Sequence, residues 1–262
     1  MSTSERLRLN ISPCPNDTFM FDAAINGRID TEGLRFEVSF YDIEELNAHV
    51  LAGDVDLSKI STALLPEIAE RYVLLDSGSA LGRGNGPLLV GRAGNDRQIE
   101  RVAVPGLHTT ANLLMKRLFP HIVQRTPMLF SEIAAAVERG EFDAGVLIHE
   151  GRFVYSRRNL VLLADLGQEW ERRTSLPLPL GSIVASKRLD ADVRQRFERV
   201  LRRSIEYAFA HPAASRDFVK AHAQEMDDEV IDKHIALFVN RYSLSLAEEG
   251  RRAVELLTGI RP

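Results

Sequence analysis

An internal disulfide is closed to this chain, which has a single cysteine, Cys14. That fits a reducing compartment, where thiols stay free. An excess of one charge is missing too. The 262 residues carry 33 basic and 37 acidic side chains, a net −4, which leaves no electrostatic footprint for nucleic acid or an anionic membrane. No apolar run approaches the ~18 residues that cross a bilayer. The opening "MSTSERLRLNIS" has no apolar core of a secretory signal. Neither membrane insertion nor export is expected, and the expected location is the cytoplasm. The seven histidines are scattered, with no H-x-x-x-H or C-x-x-C spacing, so no metal site is expected. A phosphate loop is also lacking. "GRGNGP" (82–87) is glycine-rich but has no G-x-x-x-x-G-K-[ST], and it precedes the strand-like "LLVG" where a phosphate loop would open a helix. It reads as a flexible loop or hinge.

What is present is strand–helix alternation. "LRLNIS" (7–12) alternates as a strand, the tight loop "PCPND" follows, and "TFMFDAAING" reads as a helix closed by Gly27. "LRFEVSFY" (34–41) is a second strand. "DIEELNAHVLAG" is a helix with Asp42 at its N-cap, Glu45 at capping-box spacing and Gly53 as its stop. "DVDLSKIS" then predicts a strand and "TALLPEIAERY" a helix. The layout returns with "RVAVPG", "HTTANLLMKRLFP", "SEIAAAVERG" and "EFDAGVLI". "GDVDL" (53–57) and "GEFDA" (140–144) each follow an amphipathic helix and open a buried strand, which suggests two similar lobes with largely parallel sheets. Residues 153–180 are irregular in pattern. "SIVAS" reads as a segment crossing back to the first lobe, and 190–262 are helical by periodicity. The expected division is 1–90 plus 183–262 for a larger lobe and 91–182 for a smaller one, with hinge strands near 88–92 and 175–185.

In open parallel sheets, ligands bind beyond the carboxyl ends of the strands. Four such ends carry small polar or titratable residues here. The first offers Ser12, Asn16, Asp17 and Thr18; another Ser58, Lys59, Ser61 and Thr62; another His108, Thr109 and Thr110; the last His149 and Glu150. Three lead into helix starts, whose unpaired N–H groups and positive dipole end hold carboxylates or phosphates. Ser, Thr, Asn and Asp before helices also serve as N-caps, so the cap and the ligand readings both stand at each position. Cys14 between two prolines has no basic cluster to activate it as a nucleophile. Lys59 on a buried strand needs a counter-ion or a polar cavity. His149, directly after "VLI", sits where a rigid backbone can aim a general base that is neutral at pH 7. A core histidine bonded to a backbone carbonyl fits the same pattern.

Taken together, "SPCPNDTFMF" (12–21), "DLSKISTA" (56–63), "GRGNGPLLV" (82–90), "PGLHTTANLL" (105–114), "LIHEGRF" (147–153) and "LPLPLG" (176–181) resemble the 1,4-dihydroxy-6-naphthoate synthases of the futalosine route to menaquinone. The motifs run in order over about residues 10–185. The neighbouring chorismate dehydratases share the fold but do not show the N-terminal motif. The resemblance implies an α/β, two-lobed, type II periplasmic-binding-protein-like fold with a central interlobe cleft. It implies a lyase that cleaves cyclic dehypoxanthine futalosine to 1,4-dihydroxy-6-naphthoate, with release of a small ketose, dihydroxyacetone. It makes His149 the base and carries substrate binding to Ser58, Lys59, Ile60 and Ser61 and to Thr109 and Thr110. Asn16 and Asp17 join the binding set by their place at the first strand end.

The chemistry so implied needs one base, oxyanion donors and an anion site, and aromatisation supplies the driving force, so no cofactor is expected. The expected partner is a small-molecule carboxylate. Monomer and homodimer both remain open. A non-catalytic cytoplasmic solute-binding protein of the same fold is the second reading and a chorismate dehydratase the third.

Overall fold

The computed structural model describes residues 6–94, 98–149, 151–223 and 227–262. The first part of the chain forms β1 (Arg6–Ile11), α1 (Pro15–Ile25), β2 (Arg35–Phe40), α2 (Ile43–Ala52), β3 (Leu57–Ser61), a one-turn α3 (Leu65–Ile68), β4 (Tyr72–Leu74) and β5 (Ala80–Gly82). A middle part follows with β6 (Leu88–Arg92), β7 (Arg101–Val104), α4 (Thr110–Leu118), β8 (Gln124–Pro127), α5 (Phe130–Glu138), β9 (Ala144–Leu147), α6 (Gly151–Val154), β10 (Leu160–Asp165) and α7 (Leu166–Thr174). The chain returns along β11 (Leu178–Ser186) and ends in α8 (Ala191–Ala210), α9 (Arg216–His222), α10 (Asp228–Phe238), α11 (Arg241–Leu244) and α12 (Ala247–Thr258).

The strands form two sheets. One has the order β2-β1-β3-β11-β4, with β5 also paired to β11; the other runs β10-β6-β9-β7-β8. The repeated sequence pattern appears as β1 flanked in parallel by β2 and β3, and β7 flanked in parallel by β8 and β9. Each sheet also takes antiparallel strands: β11 beside β3, β4 and β5, and β6 beside β9 and β10. The sheets are therefore mixed. Their antiparallel members, β6 and β11, are the strands that enter after each crossing, and a strand arriving from the other sheet is free of the right-handed crossover rule that fixes a βαβ unit.

Several local expectations give way to tertiary pairing. The helix expected over "TALLPEIAERY" shrinks to a short 3-10 turn plus α3, because Tyr72 already belongs to β4 and pairs with Ser186. Residues 153–180, read as irregular, contain β10 and α7; Asp165 caps α7 by accepting from the Gly167 and Gln168 amides. β6 lies wholly in the second sheet, paired to β9 and β10, so the first crossing precedes Leu88. The capping box of α2 is as the sequence predicts, with Gly53 in the left-handed region that ends the helix.

β5 and β11 run side by side where the chain crosses, with Gly82 opposite Leu178 and Leu81 opposite Pro179. One strand thus serves both cores: Leu178 packs with Leu89 and Trp170, while Val184 packs with Ile60 and Leu64. "GRGNGP", read as a flexible loop or hinge, lies at this crossing and is closely packed. A Cβ on Gly86 would lie 2.4 Å from Gly167 Cα, so the loop is pressed against the start of α7 and only glycine fits. Arg83 donates to the Ser175 carbonyl at 3.1 Å and to Glu249 at 2.6 Å, and buried Asn85 donates to the Leu237 carbonyl at 3.0 Å. Gly86 serves close backbone approach, while Gly84 supplies a left-handed turn with φ of +64°. α8 packs on α1 over the first sheet, and α12 contributes Val254 to one core and Leu257 to the other. No helix among the described residues is long and apolar enough to cross a membrane.

Candidate active site

Between the sheets lies a cavity lined by Asn16, Lys59, Ser61, Thr109, Thr110, His149 and Arg152, with Ile43, Pro87, Ile148, Leu180 and Phe238 supplying apolar wall. A mostly apolar concavity with a few convergent polar groups is the usual form of a small-molecule site. Strand alternation decides which residues of β3 reach it. Lys59 and Ser61 face the cavity. Ser58 is turned away and donates to the Lys59 carbonyl at 2.8 Å, and Ile60 is core. Of the four binding positions expected on this strand, two line the cavity with side chains.

Asp17 is not a wall residue either. It stands behind Lys59, with Oδ1 2.5 Å from Nζ, and both side chains are almost wholly buried. Its carboxylate also accepts from the Ser12 hydroxyl at 2.7 Å and the Asn16 amide at 2.8 Å. The counter-ion that Lys59 needed is therefore Asp17. Ser61 is held by a residue the sequence reading did not single out. Asn47 on α2 accepts from the Ser61 amide at 2.9 Å and donates to its hydroxyl at 3.1 Å, leaving the Ser61 O–H proton to donate into the cavity.

The two threonines at the start of α4 keep both meanings the sequence left open. Thr109 caps the helix: its hydroxyl accepts from the Asn112 amide at 3.2 Å and donates to the Gly106 carbonyl at 2.8 Å. The Thr110 hydroxyl accepts from the Ala63 amide at 3.2 Å and donates to the Leu180 carbonyl at 3.0 Å, linking α4 to the first sheet. With both hydroxyls engaged, what the helix start can offer an anion is its N–H groups, and Thr110 and Ala111 both line the cavity. Arg152, also unforeseen, comes from the turn after His149. It donates to the Gly86 carbonyl at 2.9 Å and lies 3.8 Å from the Asp165 carboxylate.

His149 follows β9, whose four residues are fully buried. Its φ is +52°, a left-handed conformation that side chains other than glycine seldom adopt. Such backbone strain gathers at functional sites. No described residue hydrogen-bonds the ring, in contrast to the core histidine bonded to a carbonyl that the sequence also allowed. Its packing is aromatic: the edge of Phe130 at 5.0 Å and the ring of His234 at 6.0 Å, nearly parallel at 14°. Burial pushes its pKa down to about 4, with Asp17 and Asp42 pulling up and Lys59 pushing further down. The imidazole is neutral at pH 7 and can accept a proton. Glu150 lies outside the described residues. His234, on α10 and fully buried, donates through Nε2 to Asn16 Oδ1 at 3.0 Å.

With this geometry in hand, comparison with known proteins is decisive. Residues 7–261 match the menaquinone biosynthesis family. The chain belongs to that family. A relative from Thermus thermophilus, named "1,4-dihydroxy-6-naphtoate synthase", is 46% identical over 255 residues, 97% of this chain and 93% of the relative. One of the same name from Streptomyces coelicolor is 42% identical over 98% of this chain and 93% of its own length. A crystallised protein from Archaeoglobus fulgidus superposes with a TM-score of 0.92 at 32% identity, over 98% of this chain and 96% of its own. A Candida albicans protein described as having the generic periplasmic binding protein fold reaches 0.73 at 12% identity, over 98% of this chain and 92% of its own, a likeness of fold alone. The fold is that of the periplasmic binding proteins, and the family is one of menaquinone biosynthesis.

Proposed function

We propose that this protein is a carbon–carbon lyase of the futalosine route, converting cyclic dehypoxanthine futalosine to 1,4-dihydroxy-6-naphthoate and dihydroxyacetone. The near-full-length relatives of that name support the reaction. The observation that carries a chemical role for this chain is His149: a neutral imidazole on a strained strand end, with no hydrogen-bond partner among the described residues, facing a cavity between two sheets. A solute-binding protein needs donors for its ligand but no such unoccupied base.

In this reading His149 removes a hydroxyl proton from the sugar-derived ring. The O–H electrons form the new carbonyl of the ketose, the carbon–carbon bond breaks, and its electron pair enters the ring that becomes aromatic. The ring oxygens and carboxylate are held by the α4 amides, Ser61 and Lys59. A pKa depressed by burial makes a weak base in the empty cavity. An anionic substrate beside it stabilises the imidazolium and raises its basicity where it is needed. Two lobes closing on the cleft, one carrying each sheet, exclude water. The working location is the cytoplasm, and the protein acts as a monomer or a homodimer.

Incubating pure protein with the cyclic futalosine and following naphthoate release tests the reaction; product from chorismate instead would make it the dehydratase. His149→Asn keeps polarity but cannot hold a proton at neutral pH. We expect turnover to fall by roughly 10²–10⁴-fold with binding retained. Near wild-type turnover in the variant would make His149 structural.

A further inference from the structure

The hydrogen bonds behind the cavity fix the protonation of His234. Ionised Asp17 can only accept, so the Asn16 group 2.8 Å from it is the amide NH₂. Asn16 Oδ1 is then the atom that meets His234 Nε2 at 3.0 Å, and Nε2 must carry the hydrogen. Burial holds His234 well below the ordinary imidazole range, so the ring is neutral and Nδ1 is left as a lone-pair acceptor. That Nδ1 is buried and has no hydrogen-bond partner among the described residues. A buried acceptor left empty is a standing cost to the fold, and here it lies in the ring that stands parallel to His149 at 6.0 Å.

We propose that His234 is a positioning residue for His149: when His149 takes the substrate's proton, His234 Nδ1 accepts the N–H of the new imidazolium through one bridging water. The inference rests on the reading of His149 as the base. No bond to His234 other than this hydrogen bond forms, and the proton stays on His149. The other groups acting on His149 are Asp17 and Asp42, which favour its cation, and Lys59, which opposes it. Lys59 and His149 are those that act on His234, whose ring also meets Phe238 at 4.8 Å. Asp17 is already committed to Lys59, Ser12 and Asn16. His234 Nδ1 has acceptor capacity to spare, and its ring lies against His149.

His234→Gln tests this, because the glutamine amide can still donate to Asn16 but offers no acceptor at the Nδ1 position. The expected result is a 10–100-fold loss in kcat, the range for a lost hydrogen bond to a charged group, with KM within about twofold and the acid limb of kcat moved to lower pH. The double variant with His149→Asn should be no slower than His149→Asn alone. An unmoved acid limb, or losses that multiply in the double variant, overturns the inference while leaving the base reading intact. A His149→Asn enzyme of near wild-type turnover overturns both. Should His234→Gln fail to fold, ¹⁵N resonances of the imidazoles in the wild-type protein decide: a hydrogen on Nδ1 of His234 excludes the proposal, and a hydrogen on Nε2 with an unprotonated Nδ1 supports it.

Discussion

Replacing Asp17 by asparagine leaves the shape of the site and removes the charge on which Lys59 depends. Lys59 Nζ is 2.5 Å from Asp17 Oδ1, and the two side chains are 6% and 0% exposed, so water cannot take over. The second oxygen accepts from the Ser12 hydroxyl at 2.7 Å and the Ser12 amide at 3.3 Å. In Asp17→Asn one oxygen becomes an NH₂. Either Lys59 and the Asn16 amide or the Ser12 donors then face a donor. Removing one partner of a buried ion pair costs about 3–5 kcal/mol, because the other charge is left uncompensated. For a chain of this size that is roughly 6–20 °C in melting temperature, at ~2–4 °C per kcal/mol. Lys59→Met should cost less, since Asp17 keeps its Ser12 and Asn16 donors. Lys59→Met/Asp17→Asn should be more stable than Asp17→Asn alone, since no unpaired charge remains. Thermal and urea unfolding of the four proteins reads this out as a double-mutant cycle. A single Asp17→Asn variant within about 1 kcal/mol of wild type, or a double variant no better than it, would refute the account of Lys59 as a paired buried cation.

Two further outcomes follow from the geometry. His149, near 6.5 when unfolded, is pushed down to about 4 by burial when folded. The unfolded state therefore binds more protons between those values, and stability falls as pH drops from about 6.5 to about 4, by up to ~1.4 kcal/mol per pH unit for this group; melting temperatures at pH 7 and 5 check it, and equal slopes for wild type and His149→Asn would sink it. Across the cleft, Glu44 on α2 accepts from the Leu107 amide at 2.9 Å and His108 Nδ1 at 2.8 Å, and a Cβ on Gly106 would lie 2.3 Å from its carboxylate. Glu44→Ala should raise KM several-fold and enlarge the radius of gyration in solution scattering, and an unchanged scattering profile would show that this contact does not hold the lobes together.

What could be read from the sequence was what is local in the chain. The α2 capping box, the buried strand that ends just before His149 and the duplicated strand pattern each depend on neighbours a few residues apart. What could not be read depends on pairing across the chain. β10 is "LVLLAD", without alternation, and becomes a strand only because β6 offers it an antiparallel edge. The short β4 and the truncated helix before it exist because β11 returns to pair there. "GRGNGP" carries every local sign of flexibility, yet its last glycine, Gly86, lets the backbone lie against α7.

The same division runs through the site. Strand alternation, a local property, separates Lys59 and Ser61 from Ser58 and Ile60 once the face of β3 is known, but the face is set by its neighbours β1 and β11. Asn47 and His234 gave no signal because each sits on the buried side of an amphipathic helix, where a polar residue has no meaning until its partner is known. For His234 that partner is Asn16, 218 positions away. The candidate residues legible in the sequence are thus His149 and the start of α4, while the side chains packed behind them are drawn from the far ends of the chain. If His149 is the base we propose, mutations that disturb it through its support should scatter along the sequence from Ser12 to His234, while those that remove it directly fall on His149 alone.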